Sequence, residues 1–134
     1  MESSCQISIG PQDPQGLIAL CKSGLSIHTF DEVAACLQLS DLRLADIIHI
    51  PKSTLTRRKK EGRFNFEESE RLYRIIRLFN LAAEIFETQE HASKWLNTPS
   101  NDFEGKSPLE YADTEIGARE VEAALDRIAD GVVF

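Results

Sequence analysis

The sequence predicts an all-α protein, with a helix-turn-helix bundle on its N-terminal side, then a long central helix and a further small helical region. Three observations predict it. Apolar residues recur three and four positions apart along most of the chain, and no stretch alternates as a half-buried strand would. Ser, Thr, Asp or Asn precedes most of these runs, where a side-chain oxygen caps a helix N-terminus. Residues 43–63 read as the end of one short helix, a proline turn and a second helix that carries a single apolar anchor on a cationic surface.

The elements follow in order. Residues 1–12 show no period. Asp13-Pro14 supplies an N-cap and a first-turn proline, and Leu17, Ile18 and Cys21 give a short apolar face ending near Gly24. Thr29 with Glu32 has capping-box spacing, and Phe30, Val33, Ala34 and Leu37 follow at helical spacing, which predicts a helix over about 30–38. Ser40 caps a helix over about 41–49 with Leu44, Ile47 and Ile48 on its apolar face. Pro51 breaks that pattern, because the residue before a proline is pushed out of the helical region, and it opens the next helix, which Gly62 follows. Asn65 with Glu68 caps the longest run, over about 66–87, through Leu72, Ile75, Ile76, Phe79, Ala82, Ala83 and Phe86. Thr88 caps a shorter helix through Trp95-Leu96, with Trp95 read as a core residue. Residues 97–102 are turn chemistry, and Ser107-Pro108-Leu109-Glu110 combines cap, proline and Glu at the third helical position. Thr114 starts the last helix, whose apolar positions are Ile116, Val121, Ala124, Leu125 and Ile128, with Gly131 past its end. Gly105, Gly117 and Gly131 read as backbone devices, Gly117 at a close helix approach.

Composition bounds the rest. A chain of 134 residues makes one compact domain or two very small ones, and 42% apolar with 28% charged residues suffices for a folded core. No apolar run approaches the length of a membrane span. The start of the chain lacks the basic and apolar regions of a secretory signal, and the three cysteines show no CxxC spacing, so they read as reduced thiols and the expected location is cytoplasmic. His28, His49 and His91 are scattered and no nucleophile or phosphate-loop motif occurs, so no catalytic residue, metal or cofactor is expected.

Charge is uneven. The net charge is −7, yet residues 43–63 hold seven basic side chains and two acidic ones, whereas residues 91–134 hold four basic and nine acidic. In Lys52-Ser53-Thr54-Leu55-Thr56-Arg57-Arg58-Lys59-Lys60 the only large apolar residue is Leu55. A helix that merely covers a core shows three or four apolar residues per two turns. A short helix, a tight turn and a second helix with one buried anchor is the layout of a helix-turn-helix, whose second helix enters the DNA major groove. Ser53, Thr54 and Arg57 are placed for base edges. Lys52, Arg58, Lys59, Lys60 and Arg63 complete the expected DNA-binding set, the last four as phosphate contacts. The alternative is a solubilising basic helix end that complements the helix dipole. Arg71, Arg74 and Arg77 either extend this footprint or, more in keeping with Glu68 and Glu70 beside them, form internal ion pairs.

Several segments, taken in order, resemble one family. They are Trp95-Leu96-Asn97-Thr98-Pro99, Phe103-Glu104-Gly105-Lys106-Ser107-Pro108-Leu109-Glu110, Thr114-Glu115-Ile116-Gly117-Ala118-Arg119-Glu120-Val121, Leu125-Asp126-Arg127-Ile128 and Gly131-Val132. The family is that of the Xre/MbcA/ParS-type antitoxins, partners of RES-domain toxins. Ser53-Thr54-Leu55-Thr56-Arg57-Arg58 and Glu68-Ser69-Glu70-Arg71-Leu72 look like its helix-turn-helix and linking helix, and the resemblance covers about residues 30–134. It implies a Cro/Xre-like helix-turn-helix bundle followed by a small helical toxin-binding domain. The implied organisation is a segment 1–24 with no assigned role, a DNA-binding region 25–65, a long central helix 66–87 and a toxin-binding region 88–134. The chain departs from the pattern in offering no Gln or Asn on the second helix to read adenine.

The implied function is that of a type II antitoxin, which blocks the active site of a toxin that degrades NAD and represses its own operon, working as a homodimer within a larger toxin complex. The expected toxin-binding residues are Glu115, Arg119, Glu122, Arg127, Asp130, Gly131, Val132, Val133 and Phe134. An acidic helix ending in an apolar tail suits the mouth of a cationic dinucleotide pocket. The tail alternatively folds onto the chain's own core or a dimer seam, and Arg119 and Arg127 alternatively pair locally with Glu115, Glu120 or Glu122. Two other functional readings compete: a stand-alone dimeric helix-turn-helix regulator, and a protein-interaction module with an incidental basic helix.

Overall fold

The computed structural model describes Ile7 and residues 13–131. Among the described residues the chain is all-α, with eight α-helices and one 3-10 turn. None of these helices is long and apolar enough to cross a membrane. The chain forms two compact units that divide after Tyr73, inside the longest helix.

The first unit contains α1 (Pro14–Ser23), α2 (Ile27–Leu37), α3 (Asp41–Ile47), α4 (Lys52–Glu61) and the start of α5 (Phe66–Phe86). Local hydrogen bonds set most of these starts. The Asp13 carboxylate accepts from the Gly16 N–H at 2.9 Å, and Ser40 Oγ from the Arg43 N–H at 3.1 Å. Asn65 and Glu68 cap α5 reciprocally: Asn65 Oδ1 accepts from the Glu68 N–H at 2.8 Å and Glu68 Oε1 from the Asn65 N–H at 3.0 Å. Pro51 is the N-cap residue of α4, and Gly62 closes that helix in the left-handed region at φ +93°. Phe30, Val33, Leu37, Leu44, Leu55 and Leu72 are buried, and the Phe30 and Phe64 rings tilt together with centroids 5.5 Å apart.

Two expectations need correction here. The second helix begins three residues earlier than Thr29 predicted. Its cap is Ser26, whose Oγ accepts from the Thr29 N–H at 3.2 Å, so Thr29 is a donor inside the first turn. The Ser26 segment is held from outside the helix as well: the Ile27 N–H donates to the Gly62 carbonyl at 3.0 Å and the Phe64 N–H to the Leu25 carbonyl at 2.9 Å, around an isolated antiparallel bridge between Ser26 and Arg63. Cys36 is disulfide-bonded and so not a reduced thiol, whereas Cys21 is free and buried. Burial, then the Glu70 carboxylate, raises the Cys21 pKa and keeps that thiol protonated.

The second unit runs from Arg74 through α6 (Gln89–Asn97), the 3-10 turn Asn101–Phe103, α7 (Pro108–Tyr111) and α8 (Glu115–Ala129). Thr88, Ser107 and Thr114 cap α6, α7 and α8, and Ser107 with Glu110 completes a capping box. The short α7 packs on both α6 and α8. That packing is close because position 117 has no side chain: a β-carbon on Gly117 would sit 1.9 Å from the Tyr111 carbonyl oxygen. Ala118, Val121 and Leu125 of α8 are buried, but Ile116 is 77% exposed and Ile128 lies at the surface, so only the middle of the predicted apolar set faces inward.

Candidate functional site

In the first unit, α3 packs on α2 and on α4, and Leu55 is the one buried residue of α4. Lys52, Ser53, Arg57, Lys59 and Lys60 are exposed on the helix, Thr54 is half-buried, and Arg63 is exposed just beyond it. The anchor therefore points inward while the polar and cationic side chains of the expected DNA-binding set, Arg58 excepted, lie toward the outer surface.

Arg58 is placed differently from its neighbours. Its Nε donates to Glu68 Oε1 at 2.7 Å, its Nη2 to Glu68 Oε2 at 3.2 Å, and its Nη1 to Glu61 Oε1 at 2.9 Å. The Arg58 side chain is 15% exposed and that of Glu68 8%. Donating to Glu68, and then to Glu61, raises the Arg58 pKa further. For Glu68, burial works to raise the pKa, but the Arg58 hydrogen bonds, the Asn65 N–H and the nearby charges of Arg58 and Arg71 outweigh it, so its carboxyl titrates below the ordinary value.

The other ion pairs on α4 are of a different kind. Lys59 Nζ lies 2.5 Å from Asp41 Oδ2 with the two side chains 43% and 41% exposed, and Arg57 Nε lies 3.9 Å from Glu61 Oε2 with 59% and 49% exposed. Exposed pairs are worth about 0–1 kcal/mol, so these contacts cost little to open. Arg63 Nη1 donates to the Ser23 carbonyl at 3.0 Å, which leaves its charge uncompensated by that contact.

In the second unit, the acidic residues expected on a partner surface are partly engaged at home. Arg77 Nε donates to Glu122 Oε2 at 2.6 Å and its Nη2 to Glu115 Oε2 at 3.0 Å, while Arg74 reaches Glu115 Oε1 and the Asp113 carbonyl, both at 3.3 Å. Burial opposes the charge of Glu115, but Arg77 and then Arg74 prevail and lower its pKa. Arg119 Nε lies 3.5 Å from Glu115 Oε2. The internal pairing expected for Arg74 and Arg77 is thus present, but with carboxylates of α8 instead of Glu68 and Glu70. Arg71 instead donates through Nε to the Ile48 carbonyl at the end of α3, at 2.7 Å. Arg127 is exposed on the last turns of α8, Asp130 is its C-cap, and Gly131 follows at φ +75°. Val132, Val133 and Phe134 lie outside the described residues.

Sequence reasoning missed one feature of this unit. Trp95, read as core, is only half-buried and lines a groove of about 360 Å³ with Phe103, Pro108, Ala124, Arg127 and Ile128 among its walls. The Trp95 ring meets Phe86 at 5.8 Å and stands edge-on to Phe103 at 6.1 Å between centroids. The aromatic residues were visible in the sequence. Their meeting across the loop 98–107 was not.

Comparison with known proteins bears on both units. The family model for the antitoxin Xre-like helix-turn-helix domain matches residues 17–77, and that for the antitoxin Xre/MbcA/ParS C-terminal toxin-binding domain matches residues 81–131. The Antitoxin Xre of Yersinia enterocolitica is 32% identical over 118 residues, covering 87% of this chain and 80% of the relative. The chain belongs to the Xre antitoxin family. The Antitoxin Xre of Photorhabdus laumondii is 28% identical, again covering 87% of this chain and 80% of the relative. That of Pseudomonas putida is 32% identical over 83 residues, covering 61% of this chain and 52% of the relative. The family match begins inside α1, ahead of residue 30 where the resemblance was first legible, so α1 is part of the Xre-like unit.

Proposed function

We propose that this Xre-family chain is the antitoxin of a type II toxin–antitoxin pair, neutralising a RES-domain toxin that degrades NAD and repressing its own operon. The observation that carries the reading is that one chain holds two separately matched units with opposite surface chemistry. One exposes Lys52, Arg57, Lys59, Lys60 and Arg63 around the single anchor Leu55; the other is acidic and matches the toxin-binding model. On this reading Ser53, Thr54 and Arg57 meet base edges and the remaining exposed cations meet phosphates. Arg119 near the start of α8, and Arg127, Asp130 and Gly131 at its end, face the toxin, with Val132, Val133 and Phe134 beyond. Glu115 and Glu122 hold that helix to α5 through Arg74 and Arg77. The protein works in the cytoplasm as a homodimer, since one helix-turn-helix spans only half of a two-fold site.

The test is co-expression with a RES-type protein, if one is encoded by a neighbouring gene. Co-purification and restored cellular NAD support the reading. Specific binding of upstream DNA without any capture of that protein would instead favour a stand-alone regulator. Removal of residues 131–134 is expected to leave a folded chain that no longer restores NAD, and full rescue by the shortened chain would remove the tail from the mechanism.

A further inference from the structure

The cationic run on α4 looks uniform in the sequence, but one of its members is not available to a ligand. Arg58 lies between α4 and the start of α5, held by both oxygens of Glu68, and both side chains are largely buried. Glu68 is itself fixed, because the same carboxylate accepts the Asn65 N–H as half of the cap that starts α5. A planar guanidinium on a planar carboxylate constrains direction as well as distance, which an ammonium does not reproduce. Swinging Arg58 out to a phosphate would leave Glu68 charged and short of its main partner in a mostly buried position, which is far more costly than opening an exposed pair such as Lys59–Asp41.

We infer that Arg58 is a positioning residue, which sets the orientation of α4 through the paired oxygens of Glu68 and makes no phosphate contact. The inference rests on the DNA-binding reading proposed above. It assigns Glu68, a residue outside the expected DNA surface, an influence on affinity for DNA that acts through Arg58.

The two roles differ in measurable ways. Each phosphate contact contributes about 0.9 to the slope of log K against log salt. The wild-type chain, Arg58→Lys, Glu68→Gln and Lys60→Ala are titrated from low to moderate salt with a synthetic duplex taken from the DNA upstream of the chain's own coding sequence. Thermal unfolding of each variant serves as the folding control. Arg58→Lys and Glu68→Gln are expected to bind about tenfold more weakly at every salt concentration, within the range of one lost base contact, with slopes parallel to wild type. Lys60→Ala is expected to lower the slope by about 0.9.

A phosphate-contacting Arg58 gives the opposite pattern. Arg58→Lys then keeps wild-type affinity, because lysine serves a phosphate as a point charge, and Glu68→Gln binds more tightly, because a competing carboxylate has gone. Either result overturns the inference and leaves the DNA-binding reading intact. A wild-type chain that binds no duplex overturns that reading, and the inference with it. Should Arg58→Lys fail to fold, the sign of the Glu68→Gln change decides alone.

Discussion

Gly117 lies so close to the Tyr111 carbonyl that a β-carbon at position 117 would stand 1.9 Å from its oxygen, well inside contact. The obstacle is backbone, which cannot rotate aside as a side chain would. Gly117→Ala must therefore push α8 away from the end of α7. The expected cost is about 2 kcal/mol or more, in the range of an overpacked core, read as a lower urea midpoint. Capture of the toxin should fall, while specific binding to DNA persists because Gly117 lies outside the first unit.

Leu55 is the opposite case, a large side chain that one helix cannot lose. It is 3% exposed and is the only buried residue of α4. Leu55→Ala is expected to destabilise the first unit by about 2–5 kcal/mol, and thermal unfolding measures it. An effect of a few tenths of a kcal/mol would mean that α4 is held by its charged contacts alone.

At Arg57 the expected effect falls on specificity and not on fold. The side chain is 59% exposed and its nearest carboxylate oxygen, on Glu61, is 3.9 Å away. Arg57→Ala should cost about 1–3 kcal/mol of operator binding and relax discrimination at one base pair, leaving the unfolding midpoint and toxin neutralisation unchanged. Binding to all sequences weakened equally would make Arg57 a phosphate contact instead.

Acid should loosen the molecule at Glu68 and Glu115. Both carboxyls titrate below the ordinary value of 4.5 in the folded chain, despite burial that works the other way, because arginines hold the charged form. Between the folded and unfolded values the unfolded chain binds more protons, so stability rises with pH. The contribution is complete above the ordinary value and is lost as pH falls through the depressed folded one. Urea midpoints measured from neutral pH down to about 3 should therefore decline, and Glu68→Gln should lower the midpoint at neutral pH and flatten the decline. An unchanged slope in that variant would mean that other carboxylates govern acid unfolding.

Most helix starts are legible in the residue order, because what caps them is local. Ser40, Asn65 with Glu68, Thr88, Ser107 with Glu110 and Thr114 all bond a partner three residues away, and the anchor pattern of α4 is read within two turns. Where a more distant segment joined in, the boundary moved: Ser26 starts α2 while bridged to Arg63, and Thr29 does not. Which charges remain on the surface follows from long-range packing. Arg58 meets Glu68 across 10 residues, Arg71 the Ile48 carbonyl across 23, and Arg77 meets Glu122 across 45. It also left Ile116 in solvent at the start of a helix whose middle is buried. A side chain's type states what it is able to bond. Which group it does bond, and whether any charge is left over for a partner, depends on distances through space that one-dimensional spacing does not carry.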